Sequence, residues 1–395
     1  MTPPLPLHEA QQRLLDLVTL TEIETVSPEV ALGRYLAQPF IAKRTQPSAD
    51  LSAMDGFAVS GSGPWQTVGE SRCGAPFGEA ICVGQAVQIS TGAHIPVGAD
   101  AIVLIEDAAV SEDGLIASDA AESSRYTRRA GSDFVVDDIL LSVGTKIGPT
   151  QLALARMAGV TEVAVRKASR IAILECGDEL ANDPEQCEPH QIPATNGAMV
   201  WAMAMSEHCL INRLPPAKDN LEALIAAITS AKDADLIVIS GGASVGEHDL
   251  ARPALQSLGA RFDFWRVAIK PGKPLMVAQL GRQLILGLPG NPVSSYVTGF
   301  LFMLPAIRKM LGAAKCVPTP VSLEASADLP QSGPRRTFLR ANYNGRTVTP
   351  LAKQDSGSLA ALASANALIE RSEHSEAVKA GTYVPTYILG NGGIA

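Results

Sequence analysis

The apolar run Leu236-Ile-Val-Ile-Ser240 constrains this chain more than any other stretch. Consecutive Leu, Ile, Val and Ile without polar alternation read as a strand buried on both faces, as in a parallel sheet covered by helices on each side. Its surroundings repeat the alternation. "RIAILE" leads into "CGDEL", a helix follows Thr195-Asn196, and "DNLEALIAAITSA" reads as a helix with Asp219 as N-cap and Glu222 completing a capping box. Downstream come "RFDFWRVAI", the hairpin-like "PLMVAQLGRQLILGL", and one helix over about 294–311, kinked at Pro305. Residues 168–313 therefore read as a doubly wound α/β domain, with ligands expected beyond the carboxyl ends of its strands.

The 395 residues exceed one ordinary core, and roughly two to four domains are expected. Residues 8–20 place Ala10, Leu14, Leu15 and Val18 at helical spacing, and a second helix is expected from Ser27 as N-cap with Pro28 at its first position. Between 45 and 133 short runs such as "AVQIS" and "AIVLIE" alternate with turn residues, which reads as a small β-rich unit. Helical pattern returns at "TQLALARMAGV", so that unit is an insertion. The expected division is 1–44 plus 134–167, 45–133, 168–313, and a C-terminal β domain over 314–395.

The net charge of −8, with acids and bases intermixed, argues against nucleic acid as a partner. No apolar stretch reaches the length of a membrane span, and the first residues lack the layout of a signal peptide. The six cysteines form no C-x-x-C pair, and the six histidines no H-E-x-x-H, so neither structural zinc nor a disulfide framework is expected. A reduced cytoplasmic protein is the simplest reading.

Three loops after strands carry chemistry: "CGDEL", "SGGASVGEHD" and "GLPGNPVSS". In the second, Gly242-Ala-Ser244-Val-Gly246 fits the Gly-x-Ser-x-Gly nucleophile elbow letter by letter. Its partners are lacking: no HGGG element precedes it, and only His248 and His374 follow. A serine hydrolase using Ser244 is thus a distant alternative to an anion cradle built from Ser240, Gly241, Gly242, Ser244 and Gly246. Pro289-Gly290-Asn291-Pro292 makes a stiff turn before a helix N-terminus. Lys270 and Lys273 of "IKPGKP" are candidate counter-charges for an oxyanion, and Glu179, Glu247 and Asp249 are hard ligands suited to Mg²⁺. On turn chemistry alone Asp55 and Asp100 read as structural, and Asp219 as a cap.

Taken together, "SAMDGFAV", "STGAHIPVGADAIV", "RRAGSDF", "GDEL", "SGGASVGEHD", "IKPGKP", "GLPGNPVSS", "RRTFLRANY" and "QDSGSLAALASANAL" resemble the molybdopterin molybdenumtransferase family, of the MoeA and gephyrin E-domain type. The resemblance implies an elongated four-part subunit with a MogA-like α/β domain and a barrel-like C-terminal domain. It also implies a homodimer whose cleft draws on both subunits, with a molybdopterin adenylyltransferase and molybdoenzymes as possible partners. The implied reaction takes adenylyl-molybdopterin and molybdate, inserts the metal and releases AMP, assisted by Mg²⁺. The alternative is a paralogue that binds cofactor, or acts as a scaffold, without turnover.

Carried over, Asp55, Asp133, Glu179, Asp219 and Asp249 match acidic positions associated with activity, and Asp219 and Asp249 are the expected Mg²⁺ ligands. Thr195, Asn196 and the Gly-rich loops would bind the substrate. Lys270, Lys273, Ser294, Arg335, Arg340 and Ser356 match positions associated with molybdate. The chain departs from the family pattern at Cys176, at "QIPATN", which lacks a Tyr-Asp, at Thr337 and before "SAMDG".

Overall fold

The computed structural model describes residues 3–123, 125–241 and 250–390. Its centre is a six-stranded sheet in the spatial order Cys209–Arg213, Ser169–Glu175, Leu236–Ser240, Gln283–Leu288, Pro274–Leu280, Arg261–Arg266. The first four run parallel, in register as Ile171↔Ile211, Ile173↔Val238 and Val238↔Leu286. The fifth turns back through Gly281 and pairs antiparallel with both neighbours.

All five residues of Leu236–Ser240 are buried. Alternate side chains enter different cores, as the two-residue strand period requires. Leu236 and Val238 pack with Val293, Val297 and Leu301, whereas Ile237 and Ile239 pack with Leu224, Ile228 and Ala254. At about 2 kcal/mol for each fully buried aliphatic side chain, this strand alone anchors both layers.

Around residue 300 the expected single helix divides into Pro292–Thr298, a π-helical turn Gly299–Met303, and Leu304–Met310, with Pro305 in the first turn of the last piece. Proline has no N–H for the regular ladder, so the wider turn falls just ahead of it. The expected helix from Ser27 does not form. One turn closes through Ala31 N–H to Ser27 O, but Gly33, at φ 80°, ends it, and Tyr35 and Leu36 are drawn into bridges with Lys146 and Val165. The helix over Leu221–Ser230 is capped by Asn220, whose side chain accepts from Ala223 N–H, and not by Asp219.

A seven-stranded sheet spans residues 56–123, with Phe57, Val59, Trp65 and Val103 in its core. Near the C-terminus, Val321–Ala325, Arg336–Tyr343, Thr347–Pro350, Ala367–Arg371 and Tyr383–Ile388 close into a five-stranded barrel. No helix among the described residues is long and apolar enough to cross a membrane.

One buried cluster ties the N-terminal segments to the sheet layer. The Glu207 carboxylate accepts from Tyr35 Oη at 2.9 Å, Lys146 Nζ at 3.1 Å and Arg308 Nε at 2.7 Å, with its side chain only 2% exposed. Burial, and then the neighbouring carboxylate, raise the Tyr35 phenol well above its usual range, so it stays a donor. Removing the buried Glu207 charge leaves the partly exposed Arg308 and Lys146 cations without their shared counter-charge. Glu207→Gln is expected to cost about 3 kcal/mol in urea unfolding, whereas a loss below about 1 kcal/mol would contradict this role.

Candidate functional site

At the carboxyl edge of the parallel strands, backbone contacts draw four loops together. Cys176 N–H donates to Ser240 O at 2.9 Å, Gly177 N–H to Ala217 O at 3.2 Å, and Ala217 N–H to Glu175 O at 2.8 Å. Gly241 sits at φ +87°, and a Cβ there would lie 2.3 Å from Cys176 O. Gly290 faces this turn less tightly, since a Cβ there would meet only the Gly241 Cα, at an ordinary 3.8 Å. Only a residue without a side chain allows the Gly241 turn to pass Cys176 so closely.

Asn196 fastens this edge. Its Nδ2 donates to Ser240 Oγ at 3.0 Å and to Gly290 O at 2.7 Å, which joins the Ser240–Gly241 turn to the Gly290 turn. Thr195, nominally the cap of the helix Asn196–Ala204, makes no side-chain cap bond. Instead Glu175, the last residue of the neighbouring strand, brings its carboxylate to the N–H groups of Asn196 and Gly197. Burial raises the pKa of this acid, while those two N–H groups and Arg213 pull it back. Since burial is the largest cause, ionised Glu175 is a cost to the fold, and stability gains as pH falls toward its pKa. This helix terminus is therefore already neutralised by the chain itself.

Beside it, Asp178 and Asp219 clasp each other. Asp219 N–H donates to Asp178 Oδ1 at 3.1 Å, and Asp178 N–H to Asp219 Oδ2 at 3.4 Å. Release from the capping role leaves Asp219 free for this contact. Glu179 follows on the same loop, its carboxylate folded over Gly177. Carboxylates with lone pairs to spare, beside Gly-rich turns, form an edge suited to a phosphate ester and a hard cation. Among the described residues no cluster of three His, Cys, Asp or Glu groups is ready to hold a metal on its own.

The molybdate candidates gather where the α/β layer meets the barrel. Ile269 and Lys270 run parallel to Arg336 and Thr337, beside Arg335. Lys273 holds the turn through its carbonyl, which accepts Val267 N–H at 3.0 Å. Gly272, at φ +103°, packs on Thr298 of the helix that carries Ser294. From the barrel side, Ser356 O accepts Val293 N–H at 3.1 Å, and Asn291 Nδ2 donates to Ser356 Oγ at 3.1 Å. Pro292 begins this helix and Ser294 is buried within it. Arg340 is buried in the barrel, with Nη2 on Lys353 O at 2.9 Å and Gln354 bonded to its backbone. Its side chain braces the loop that presents Ser356. Burial lowers the pKa of that guanidinium, with Asp355 opposing the shift.

Asp55 lies in the seven-stranded sheet region, where its Oδ1 accepts Thr91 N–H at 2.7 Å. Asp133 is exposed, its N–H on Gln46 O at 3.1 Å. Gly242, Ser244, Gly246 and Asp249 lie outside the described residues. Two edge residues escaped the sequence reading, Glu175 and Asp178. An acid closing an otherwise apolar strand was the available signal for the first, and an acid adjoining Glu179 for the second.

Comparison with known proteins matches residues 5–159 to the MoeA N-terminal region (domain I and II), 172–309 to a probable molybdopterin binding domain, and 322–389 to the MoeA C-terminal region (domain IV). A molybdopterin molybdenumtransferase of Haemophilus influenzae is 34% identical over 348 residues, 86% of each chain. One from Staphylococcus epidermidis is 30% identical over 397 residues, covering 96% of this chain and 94% of that one. Two crystal structures of the Pyrococcus horikoshii molybdopterin biosynthesis protein moeA superpose over 98% of this chain, with TM-scores of 0.84 at 24% identity and 0.80 at 25% identity.

Gly241→Ala tests the packing of the edge. A Cβ at a positive φ and 2.3 Å from a carbonyl oxygen is expected to cost at least about 2 kcal/mol in thermal or urea unfolding, and an unchanged stability would contradict the geometry.

Proposed function

The chain belongs to the MoeA family of molybdopterin molybdenumtransferases, and from that premise we propose how its residues divide the labour of inserting molybdenum into molybdopterin. The chain acts in molybdenum-cofactor biosynthesis by that insertion. The substrates are adenylyl-molybdopterin and molybdate, and AMP is the leaving product. The observation that carries the residue assignment is the fastening of Ser240–Gly241 to Gly290 by Asn196, beside the Asp178–Asp219 clasp. Pre-packed turns bind an extended phosphate ester without a further ordering cost.

In this reading Ser240, Gly241, Pro289, Gly290 and Asn291, with Thr195 and Asn196, line the substrate, and Gly242, Ser244 and Gly246, which lie outside the described residues, keep the substrate-binding role that the family motif implies. Lys270 and Lys273, with Ser294, Arg335 and Ser356, hold molybdate at the seam with the barrel, and Arg340 acts by bracing the Ser356 loop. Charge-assisted bonds from several donors suit a tetrahedral dianion. Glu179 handles the proton of the water that cleaves the phosphoanhydride.

Asp219 and Asp249 would hold Mg²⁺, with Asp178 adjoining. The donor chemistry fits, since Mg²⁺ takes one or two carboxylates together with substrate phosphates. When bound, it would neutralise the charge that develops as the phosphoanhydride opens.

The proposed domain division places 1–44 plus 134–167 as the dimerisation part, 45–133 as the insertion, 168–313 as the pterin-binding part and 314–395 as the barrel part. Exposed Val30, Leu32, Val136 and Ile139 support association through the first of these. A homodimer would let Asp55 and Asp133 serve the partner's cleft, in the cytoplasm, between an adenylyltransferase and a recipient molybdoenzyme. A serine hydrolase has no support beyond the letter pattern around Ser244.

The test is molybdate-dependent AMP release from adenylyl-molybdopterin by the purified protein with Mg²⁺. Release is expected, with Lys273→Ala slower by about 100-fold, the usual consequence of losing one donor to an oxyanion. Tight pterin binding without release would point to a non-catalytic binding protein, and full activity of Lys273→Ala would overturn the molybdate assignment.

A further inference from the structure

Glu175 is a buried acid for which the proposed mechanism has no use. Only 6% of it is exposed, at the end of the strand Ser169–Glu175, where it pairs with Ser240 of the next strand. Its carboxylate serves a helix from another element. The sequence Asn196-Gly-Ala-Met-Val-Trp-Ala-Met-Ala carries no acid in its first turn, and its nominal cap, Thr195, makes no side-chain bond. The first N–H groups of a helix have no partners of their own, and here the Glu175 carboxylate stands against the turn that carries them, where the Asn196 and Gly197 N–H groups favour its charge. Gly197 is what admits the carboxylate, because a Cβ at that position would stand 2.3 Å from Glu175 Oε2.

The gripped residue is also the one that bridges the loops. Asn196 is 9% exposed, and its Nδ2 reaches Ser240 Oγ at 3.0 Å and Gly290 O at 2.7 Å. Rotating or withdrawing the first turn of this helix would break both contacts together. The Gly241–Gly290 approach would then lose its fastening, since only backbone packing would remain between those turns.

We propose that Glu175 is a positioning residue for the substrate cradle: its carboxylate, held on the N–H groups of Asn196 and Gly197, fixes the Asn196 amide that joins the Ser240–Gly241 turn to the Gly290 turn. The inference rests on the reading of that edge as the molybdopterin cradle, and it deepens that reading. Glu175 touches no substrate. It acts through Asn196. Burial raises its pKa, which agrees with a group kept for geometry and not for net stability. A residue of that kind can lose its charge without loosening the fold, while the loops it registers lose their shape.

Two variants disturb the same contact in different ways. Glu175→Gln removes the charge at nearly constant volume, and Gly197→Ala leaves the charge but obstructs its approach. Each is to be titrated with adenylyl-molybdopterin, without molybdate so that no turnover occurs, alongside a thermal melt. Both are expected to bind about ten-fold more weakly than the wild type, the order expected for disturbing hydrogen bonds to a charged group. Glu175→Gln is expected to do so with no fall in melting temperature. Wild-type affinity in either folded variant overturns the inference, as does a lowered melting temperature of Glu175→Gln with unchanged affinity. If one variant does not fold, the other decides. Failure of the wild type itself to bind would overturn the functional reading, and would be seen before either variant is compared.

Discussion

The Asn196 amide is the contact on which the rest of the edge depends. Parallel strands bring their carboxyl ends to one side of the sheet, but this alone leaves the loops free to splay. Asn196 joins two of them with bonds of 3.0 and 2.7 Å, one end on Ser240 Oγ and the other on Gly290 O. The bond to Ser240 is buried and the bond to Gly290 partly so, and a partner lost from the buried one costs more than a surface bond would. The close approach of Gly241 to Cys176 O comes from the strand ladder beside it, where Cys176 N–H donates to Ser240 O at 2.9 Å. What results is a set of turns whose backbone can meet a ligand directly, backed by the acids Asp178, Glu179 and Asp219.

The other parts of the chain act on this edge by docking against it. Ser356, on a loop braced by buried Arg340, seats on the first turn of the helix after Asn291. The "IKPGKP" turn extends the opposite way, with Lys270 running beside the barrel strand that starts at Arg336. The seam therefore collects lysine, arginine and serine donors from sequence positions far apart. Glu207 performs a related task on the N-terminal side, where Tyr35 and Lys146 meet Arg308 in one buried cluster. The seam and the N-terminal contact share the core on one face of Leu236–Ser240, where Tyr35 packs in the same cluster as Phe338 and Tyr387.

What was legible in the sequence is what depends on local pattern. The apolar strands, the hairpin through Gly281 and the β character of both flanking regions all follow from residue periodicity and turn chemistry. The errors came where two local signals competed and a distant contact decided. Ser27 and Pro28 do start a turn, yet Gly33 ends it because Leu36 is needed in a bridge to Val165. Asp219 and Asn220 are both good caps, and pairing of Ala217 with Cys176 sets the loop so that Asn220 caps and Asp219 meets Asp178. Glu175 was invisible for the same reason. Its partners are Asn196 and Gly197, more than twenty residues on, and nothing in the strand that it closes announces them. The family motifs did locate the loops, but not which side chains hold the loops together.

The central claim is that the substrate lies across the strand-end loops at the carboxyl edge. A cavity of about 370 Å³, bordered by Lys167, Arg170, Lys232 and Arg282, opens at the amino ends of the same strands and offers a direct contrast. Hydrogen exchange of the protein with and without adenylyl-molybdopterin distinguishes the two. The account predicts slowed exchange at 176–179, 195–197, 240–241 and 290–293, with no change at 167–170 and 232–235. Protection confined to the amino-end cavity, with the carboxyl-edge loops unaffected, would contradict it.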